Sequence, residues 1–257
     1  MRFCVLASGS GGNACYFETP RSRILVDAGL SCREILRRLK LVGIDPGTLN
    51  ALILTHEHFD HIRGAGALAR RLDIPVYMNQ PTFQRGMRTL GNLSRPVPIR
   101  TGQVIVINGL VVETFTKCHD AADPMGVVIS CDGVRVGLLT DLGRSTPLVE
   151  DRLRGCQALI IESNHDEKML DEGPYPLEVK RRIKGPEGHL SNTQAAELLE
   201  AVSHEALNLV VLAHLSAQNN LPEKALSVAE KTLKRGSSTR VKILISYQDD
   251  PMPMVEI

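Results

Sequence analysis

The sequence predicts an α/β fold: two mixed sheets packed face to face with helices on the outer sides, a four-layer αββα sandwich forming one domain over residues 1–257. Two patterns predict it. Short apolar, β-branched runs bounded by Gly, Pro, Asn or Asp crowd the first half, and in the second half such runs alternate with helical segments. No Ser/Gly/Pro linker, fixed-period repeat or low-complexity tract divides the chain.

Taken in order, the predicted strands are Phe3–Ala7, Ala14–Glu18, Arg23–Val26, Ala51–Leu54, Pro75–Met78, Val104–Ile107, Leu110–Phe115, Gly126–Ser130, Val134–Leu139, Ala158–Ile161, Leu209–Leu212 and Val241–Ile245. Their shortness and flanking turn residues favour strand over buried helix. Predicted helices are Cys32–Leu41, Ile62–Leu72, Thr82–Thr89, Pro147–Leu153, Pro176–Ile183, Asn192–His204 and Glu223–Lys234. Thr146-Pro147 is a helix start with proline at the first helical position. Ser191 and Gln194 form a capping box. The Ser8–Asn13 loop lacks the Lys-Ser/Thr of a phosphate-binding loop and reads as a tight turn whose N–H groups can reach the rim of a site.

Composition narrows the function. The net charge is +1, so no global field selects nucleic acid or membrane, and any such surface must be local. No apolar run approaches the ~18 residues that cross a bilayer. The run Met1–Ala7 is too short for a signal peptide, so a cytoplasmic protein without membrane contact is expected. The six cysteines include no CxxC pair and read as reduced, mostly buried small hydrophobes.

The chemistry is concentrated in Thr55-His56-Glu57-His58-Phe59-Asp60-His61, directly after a predicted strand. In extended backbone His56 and His58 point to one side, while Asp60 and His61 open a helix and face a second point nearby. Imidazole and carboxylate suit Zn2+, Mn2+ or Fe2+, and two such ions ~3.5–4 Å apart can share a hydroxide.

This HxHxDH string, preceded by Ile24-Leu25-Val26-Asp27-Ala28-Gly29, resembles the metallo-β-lactamase superfamily, whose fold is the αββα sandwich. The resemblance implies that His56, His58 and His119 hold one metal, that Asp60, His61 and His214 hold the other, and that Asp141 bridges them. Asp27 is expected behind the ligands, orienting one such as His61; its alternative is a turn aspartate. Some branches of the superfamily fit poorly. Exported β-lactamases carry Cys at the position of Asp141, and flavin-partnered reductases carry Glu at that of His58. The intervals after His119 and Asp141 are too short for the arm or cap of other members.

Further strings resemble the YycJ (WalJ) group of that superfamily. They are Leu6–Asn13, Glu162-Ser163-Asn164-His165-Asp166, Tyr175-Pro176, Lys180–Ile183, Gly188–Asn192, His214-Leu215-Ser216 with Asn219-Asn220, and Tyr247-Gln248-Asp249. Membership implies a 5′→3′ DNA exonuclease linked to mismatch repair, with a metal-bridging hydroxide as nucleophile. Asp60 would hold or accept the attacking proton. His189 is the candidate acid for the leaving oxygen, or a neutral donor to phosphate, or a residue that merely orders a turn. Asn164 and His165 are candidates for phosphate contact, with a helix start as the alternative for His165. His204 reads as a structural residue at a helix C-terminus.

For non-sequence-specific DNA binding, the local basic clusters are Arg33/Arg37/Arg38/Lys40, Arg85/Arg88 and Lys180/Arg181/Arg182/Lys184. The last precedes His189 and is the favoured one. With no Trp and 4% aromatic residues, stacking on aromatic rings is not expected to be the main grip. Two rivals use the same frame. A glyoxalase II-like thioester hydrolase needs a glutathione site that the sequence does not display, and a non-catalytic scaffold would lack some of the seven ligand positions.

Overall fold

The computed structural model describes residues 1–235 and 241–257. The first sheet contains β1 (Arg2–Ala7), β2 (Ala14–Glu18), β3 (Arg23–Val26), β4 (Ala51–Ile53), β5 (Val76–Asn79) and β6 (Pro96–Ile99). The second contains β7 (Val104–Ile107), β8 (Leu110–Thr116), β9 (Met125–Cys131), β10 (Val134–Leu139), β11 (Ala158–Glu162), β12 (Leu209–Ala213) and β13 (Lys242–Ile245). A last short strand, β14 (Val255–Glu256), returns to pair with β1. The two orders are β14-β1-β2-β3-β4-β5-β6 and β13-β12-β11-β10-β9-β8-β7. Within each, an antiparallel meander passes into parallel strands at β3 and at β10.

Parallel strands need crossovers, and the helices supply them. The first sheet carries α1 (Cys32–Leu41), α2 (Phe59–Ile62), α3 (Ala65–Leu72) and α4 (Gln80–Leu90). The second carries α5 (Pro147–Leu153), α6 (Glu167–Glu172), α7 (Leu177–Lys184), α8 (Asn192–Val202) and α9 (Pro222–Arg235). Strand alternation builds the layers. Ala158, Ile160, Leu209 and Val211 join the core between the sheets, while Leu159, Ile161, Val210 and Leu212 pack on the outer side with Val149, Leu153, Leu198 and Leu199 of α5 and α8. The expected αββα sandwich is therefore observed. Among the described residues no helix is long and apolar enough to cross a membrane, and all six cysteines are free thiols.

Several elements depart from expectation. The helix expected over Ile62–Leu72 begins earlier and breaks at Gly64, where a Cβ would lie 2.1 Å from the Leu30 carbonyl oxygen. Strand β6 was hidden by Pro96 and Pro98, which only an edge strand tolerates. Helix α6 is short and depends on Asp166, whose Oδ1 accepts from the Met169 N–H at 2.9 Å. His204 lies beyond α8, and its Nε2 bonds the Cys156 carbonyl at 3.0 Å. The Ser191–Gln194 capping box and the Thr146 cap are present as expected.

Candidate metal centre

The residues of interest gather at one edge of the sandwich, where strands β3, β4, β8, β10, β11 and β12 end. The chain must turn sharply there, and Asp27, Asp141 and His214 do so with φ of 61°, 56° and 55°. This left-handed conformation costs a non-glycine residue on the order of 1 kcal/mol or more, a strain typical of functional positions. The start of α2 is held by two bonds, Asn13 N–H of the glycine-rich loop to Asp60 O at 2.8 Å and Ala28 N–H of the loop Asp27–Gly29 to His61 O at 2.7 Å. Gly29 permits this approach, because a Cβ there would stand 1.6 Å from the Asp60 carbonyl oxygen.

Six of the eight histidines form one cluster, with neighbouring ring centroids 4.0 to 5.3 Å apart. Five of them, those expected as ligands, commit one nitrogen outward. His58 Nε2 donates to the Asp120 carbonyl at 3.2 Å and His119 Nδ1 to the Gly188 carbonyl at 3.2 Å. His56 Nδ1 donates to Thr55 Oγ1 at 3.0 Å, and that hydroxyl donates on to Asp27 Oδ2 at 2.8 Å. His61 Nδ1 donates to the same Asp27 oxygen and His214 Nδ1 to Glu162 Oε1, both at 2.8 Å. Each outer bond fixes a tautomer and turns the other nitrogen's lone pair inward.

The inward atoms converge on two points. At the first, His58 Nδ1 and His119 Nε2 face each other at 3.2 Å beside His56 Nε2, which is buried without a partner. At the second, Asp60 Oδ2 lies 3.8 Å from His61 Nε2 and 3.9 Å from His214 Nε2. Asp141 stands between them, its Oδ2 3.0 Å from His61 Nε2 and its Oδ1 3.9 Å from His119 Nε2. The Asp141 Oδ2 and His214 Nε2 atoms are likewise buried without a hydrogen-bond partner. Opposed acceptor nitrogens and orphaned buried lone pairs are costly in isolation and fit divalent cations.

Electrostatics divide the two points. Burial drives the pKa of His56 well below its ordinary value and that of His119 down to about 4, so both are neutral. Burial opposes protonation of His61 and His214 as well, yet the Asp141 and Asp27 carboxylates raise His61 to about 10. Asp141, Asp60 and Glu162 raise His214 in the same way. Asp141 is buried, but His214 and His61 overcome the desolvation and hold its carboxyl well below the usual range. The carboxylates therefore favour positive charge at the second point.

Four participants were given no role from the sequence. Glu162, fully buried, accepts from His189 Nδ1 and His214 Nδ1 at 2.8 Å and from the N–H groups of Leu142 at 2.9 Å and Leu190 at 3.0 Å. Its signals were an acid at the end of the apolar run Ala158–Glu162 and its place at the head of the string Glu162–Asp166. Lys117 is buried and donates to the Thr140 carbonyl at 2.6 Å, behind Asp141, and burial pulls its pKa down. Asn13 reaches His61 Nε2 at 3.0 Å from the glycine-rich loop. Asp120 accepts from Arg182 Nε at 2.6 Å while its other oxygen, buried, lies 3.4 Å from His119 Nε2.

The remaining expected residues separate. His189 sits beside the centre, Nδ1 on Glu162, with a fifth of its side chain exposed. Arg182 is at the mouth, but the next cations are not: Lys180 donates to the Asp171 carbonyl at 2.7 Å, and Lys180, Arg181 and Lys184 line a separate hollow with Asp171. Asn164 and His165 are buried, 8% and 2% exposed, and do not present a phosphate-binding surface. Asn164 Nδ2 instead supports the His214 carbonyl at 3.0 Å. In the α1 cluster, Arg38 is buried against the Leu6 and Gln248 carbonyls and Glu34, so it braces the fold and does not meet solvent.

Comparison with known proteins agrees with this architecture. A Beta-lactamase superfamily domain matches residues 22–215. The chain is 36% identical over 256 residues to Exodeoxyribonuclease YycJ of Bacillus anthracis, covering 98% of this chain and 97% of the relative. It is 34% identical over 267 residues to Exodeoxyribonuclease WalJ of Streptococcus pneumoniae serotype 2, covering 100% and 98%. Among solved structures, the metallo-beta-lactamase fold protein YhfI from Bacillus subtilis superposes with a TM-score of 0.75 at 15% identity, over 98% of each chain. Zn(2+)-bound PqqB from Methylobacterium extorquens gives 0.72 at 14% identity over 100% of each. These two share the fold. With the family match spanning most of the chain and the relatives spanning nearly all of it, this protein belongs to the beta-lactamase superfamily and is a metal-dependent hydrolase.

Proposed function

We propose that the chain is a two-metal phosphodiesterase that degrades DNA from its ends in the 5′→3′ direction, acting in the cytoplasm and serving mismatch repair. The observation that carries this reading is the pair of inward-facing donor sets joined by Asp141, with Arg182 at their mouth. The full-length likeness to exodeoxyribonucleases supports the substrate class. On this reading His56, His58 and His119 hold one ion, Asp60, His61 and His214 hold the other, and Asp141 serves both. Bound Mn2+ or Zn2+, with Fe2+ a further choice for such donors, would supply Lewis acidity and a nucleophilic water at neutral pH.

The protein's own groups do the rest. Asp27 and Glu162 keep His61 and His214 in the tautomers whose Nε2 faces the centre. Asp60, partly exposed at the mouth, holds or accepts a proton of the attacking water. His189 holds a proton at Nε2 for the leaving oxygen, while Glu162 fixes Nδ1 and stabilises the imidazolium. Arg182 neutralises phosphate charge, and Lys180 and Arg181, lying away from the centre, meet DNA farther along the strand.

Digestion of 5′-end-labelled duplex and single-stranded DNA, after chelation and refilling with Mn2+ or Zn2+, tests the proposal. Metal-dependent mononucleotide release that disappears in His58→Ala and Asp141→Ala is expected. Intact DNA alongside turnover of a thioester would overturn the DNA assignment and favour a thioester hydrolase.

A further inference from the structure

Resting on the DNA reading above, we propose that Phe59 and Arg63 form a nucleotide subsite at the mouth of the centre, the Phe59 ring stacking a base beside the scissile bond and Arg63 binding a neighbouring phosphate. Phe59 is 61% exposed, more than any other Phe or Tyr of the chain. A ring left in water forgoes the stabilisation that burial would give it, so the fold gains little from its being aromatic. Its position is fixed by chemistry on either side, because His58 and Asp60 both aim side chains at the centre.

Arg63 lies one helical turn on, its N–H bonded to the Phe59 carbonyl at 2.9 Å and its guanidinium carbon 5.6 Å from the ring centroid. That cation–π contact orients the ring and places a positive charge beside it. Arg182 shares its charge with Asp120, whereas among the described residues no carboxylate pairs with Arg63. The platform is anchored from below, since Gly86 of α4 fits against Ile62, with a virtual Cβ 3.0 Å from Ile62 Cδ1. Exposed Arg85 and Arg88 on α4 extend the positive charge away from the centre. A ring with an unpaired cation recognises a base without reading which base it is, because every base offers a π-face. Sequence-tolerant degradation needs that property.

The test is calorimetric binding of two probes, dTMP and deoxyribose 5-phosphate, to the metal-loaded protein, beside DNA digestion by the same preparation. The unsubstituted protein is expected to prefer dTMP by about tenfold. Phe59→Ala is expected to abolish that preference and Phe59→Trp to keep it. Arg63→Gln is expected to weaken both probes several-fold while leaving their ratio unchanged. If DNA is digested but Phe59→Ala keeps the preference, the stacking role is overturned and the nuclease reading stands. If both probes bind Arg63→Gln as tightly as before, the phosphate role is overturned. If DNA stays intact and neither probe is preferred, the nuclease reading fails and this proposal fails with it.

Discussion

His214 Nδ1 and Glu162 Oε1 meet at 2.8 Å although 52 residues separate them, and the same oxygen accepts from His189 Nδ1. One buried carboxylate thus orients an expected metal ligand and the candidate acid together. Its second oxygen ties down the N–H groups of Leu142 and Leu190, the residues following Asp141 and His189.

Glu162→Gln puts an amide where only acceptors fit, facing N–H donors on several sides. A loss of stability of about 3 kcal/mol is expected, as for other broken buried charged networks. Metal affinity is expected to fall roughly 10–100-fold, the usual effect of losing a group behind a ligand. Chemical unfolding and competition against a chelating indicator read the two separately, and a variant with wild-type metal affinity would show that Glu162 is purely structural.

Without metal, stability is expected to peak near the ordinary pKa of histidine, about 6.5. His61 is raised to about 10, so its contribution is complete below the unfolded value and disappears as pH climbs through the folded one. His119 is lowered to about 4, so its contribution is complete above the unfolded value and disappears as pH falls toward 4. Melting of chelator-treated protein across pH 4.5–9.5 checks this, and a monotonic profile would contradict it. Metal affinity is expected to rise with pH, because protons must leave His61 and His214.

Arg182→Ala removes one phosphate-neutralising charge at the mouth. DNA binding is expected to weaken at low salt and the slope of log affinity against log salt to fall by about 1. Because Lys180 and Arg181 face the Asp171 hollow, their alanine variants are expected to change that slope less. Anisotropy of a labelled oligonucleotide across a salt series distinguishes the three.

Gly29→Ala drives a Cβ into the Asp60 backbone, with 1.6 Å available where real contacts exceed 3.0 Å. The loop holding Asp27 and the start of α2 cannot both keep their places. Loss of metal binding together with a large drop in melting temperature is expected, whereas Gly43→Ala, with open space around its Cβ but a φ of +79° that costs some stability, is expected to leave metal binding intact.

Much of the fold is legible in the sequence. Most strands and the helices Cys32–Leu41 and Pro147–Leu153 follow from apolar periodicity and caps, which are properties of neighbouring residues. His56, His58, Asp60 and His61 declare themselves because six consecutive positions encode the ligand spacing. His119, Asp141 and His214 are ordinary in isolation and became legible only through resemblance.

The sequence by itself thus determined the layers of the sandwich and the residue types that face its open edge. Tertiary structure alone decided which groups stand behind them. Nothing local assigns a role to Glu162, Lys117, Asn13 or Asp120, since each acts through partners distant in the chain. It also divided one basic run, turning Arg182 to Asp120 and Lys180 to Asp171, because successive helix positions point to different sides. Burial likewise removed Asn164 and His165 from any phosphate surface, since the end of a central strand leaves little side-chain area for solvent.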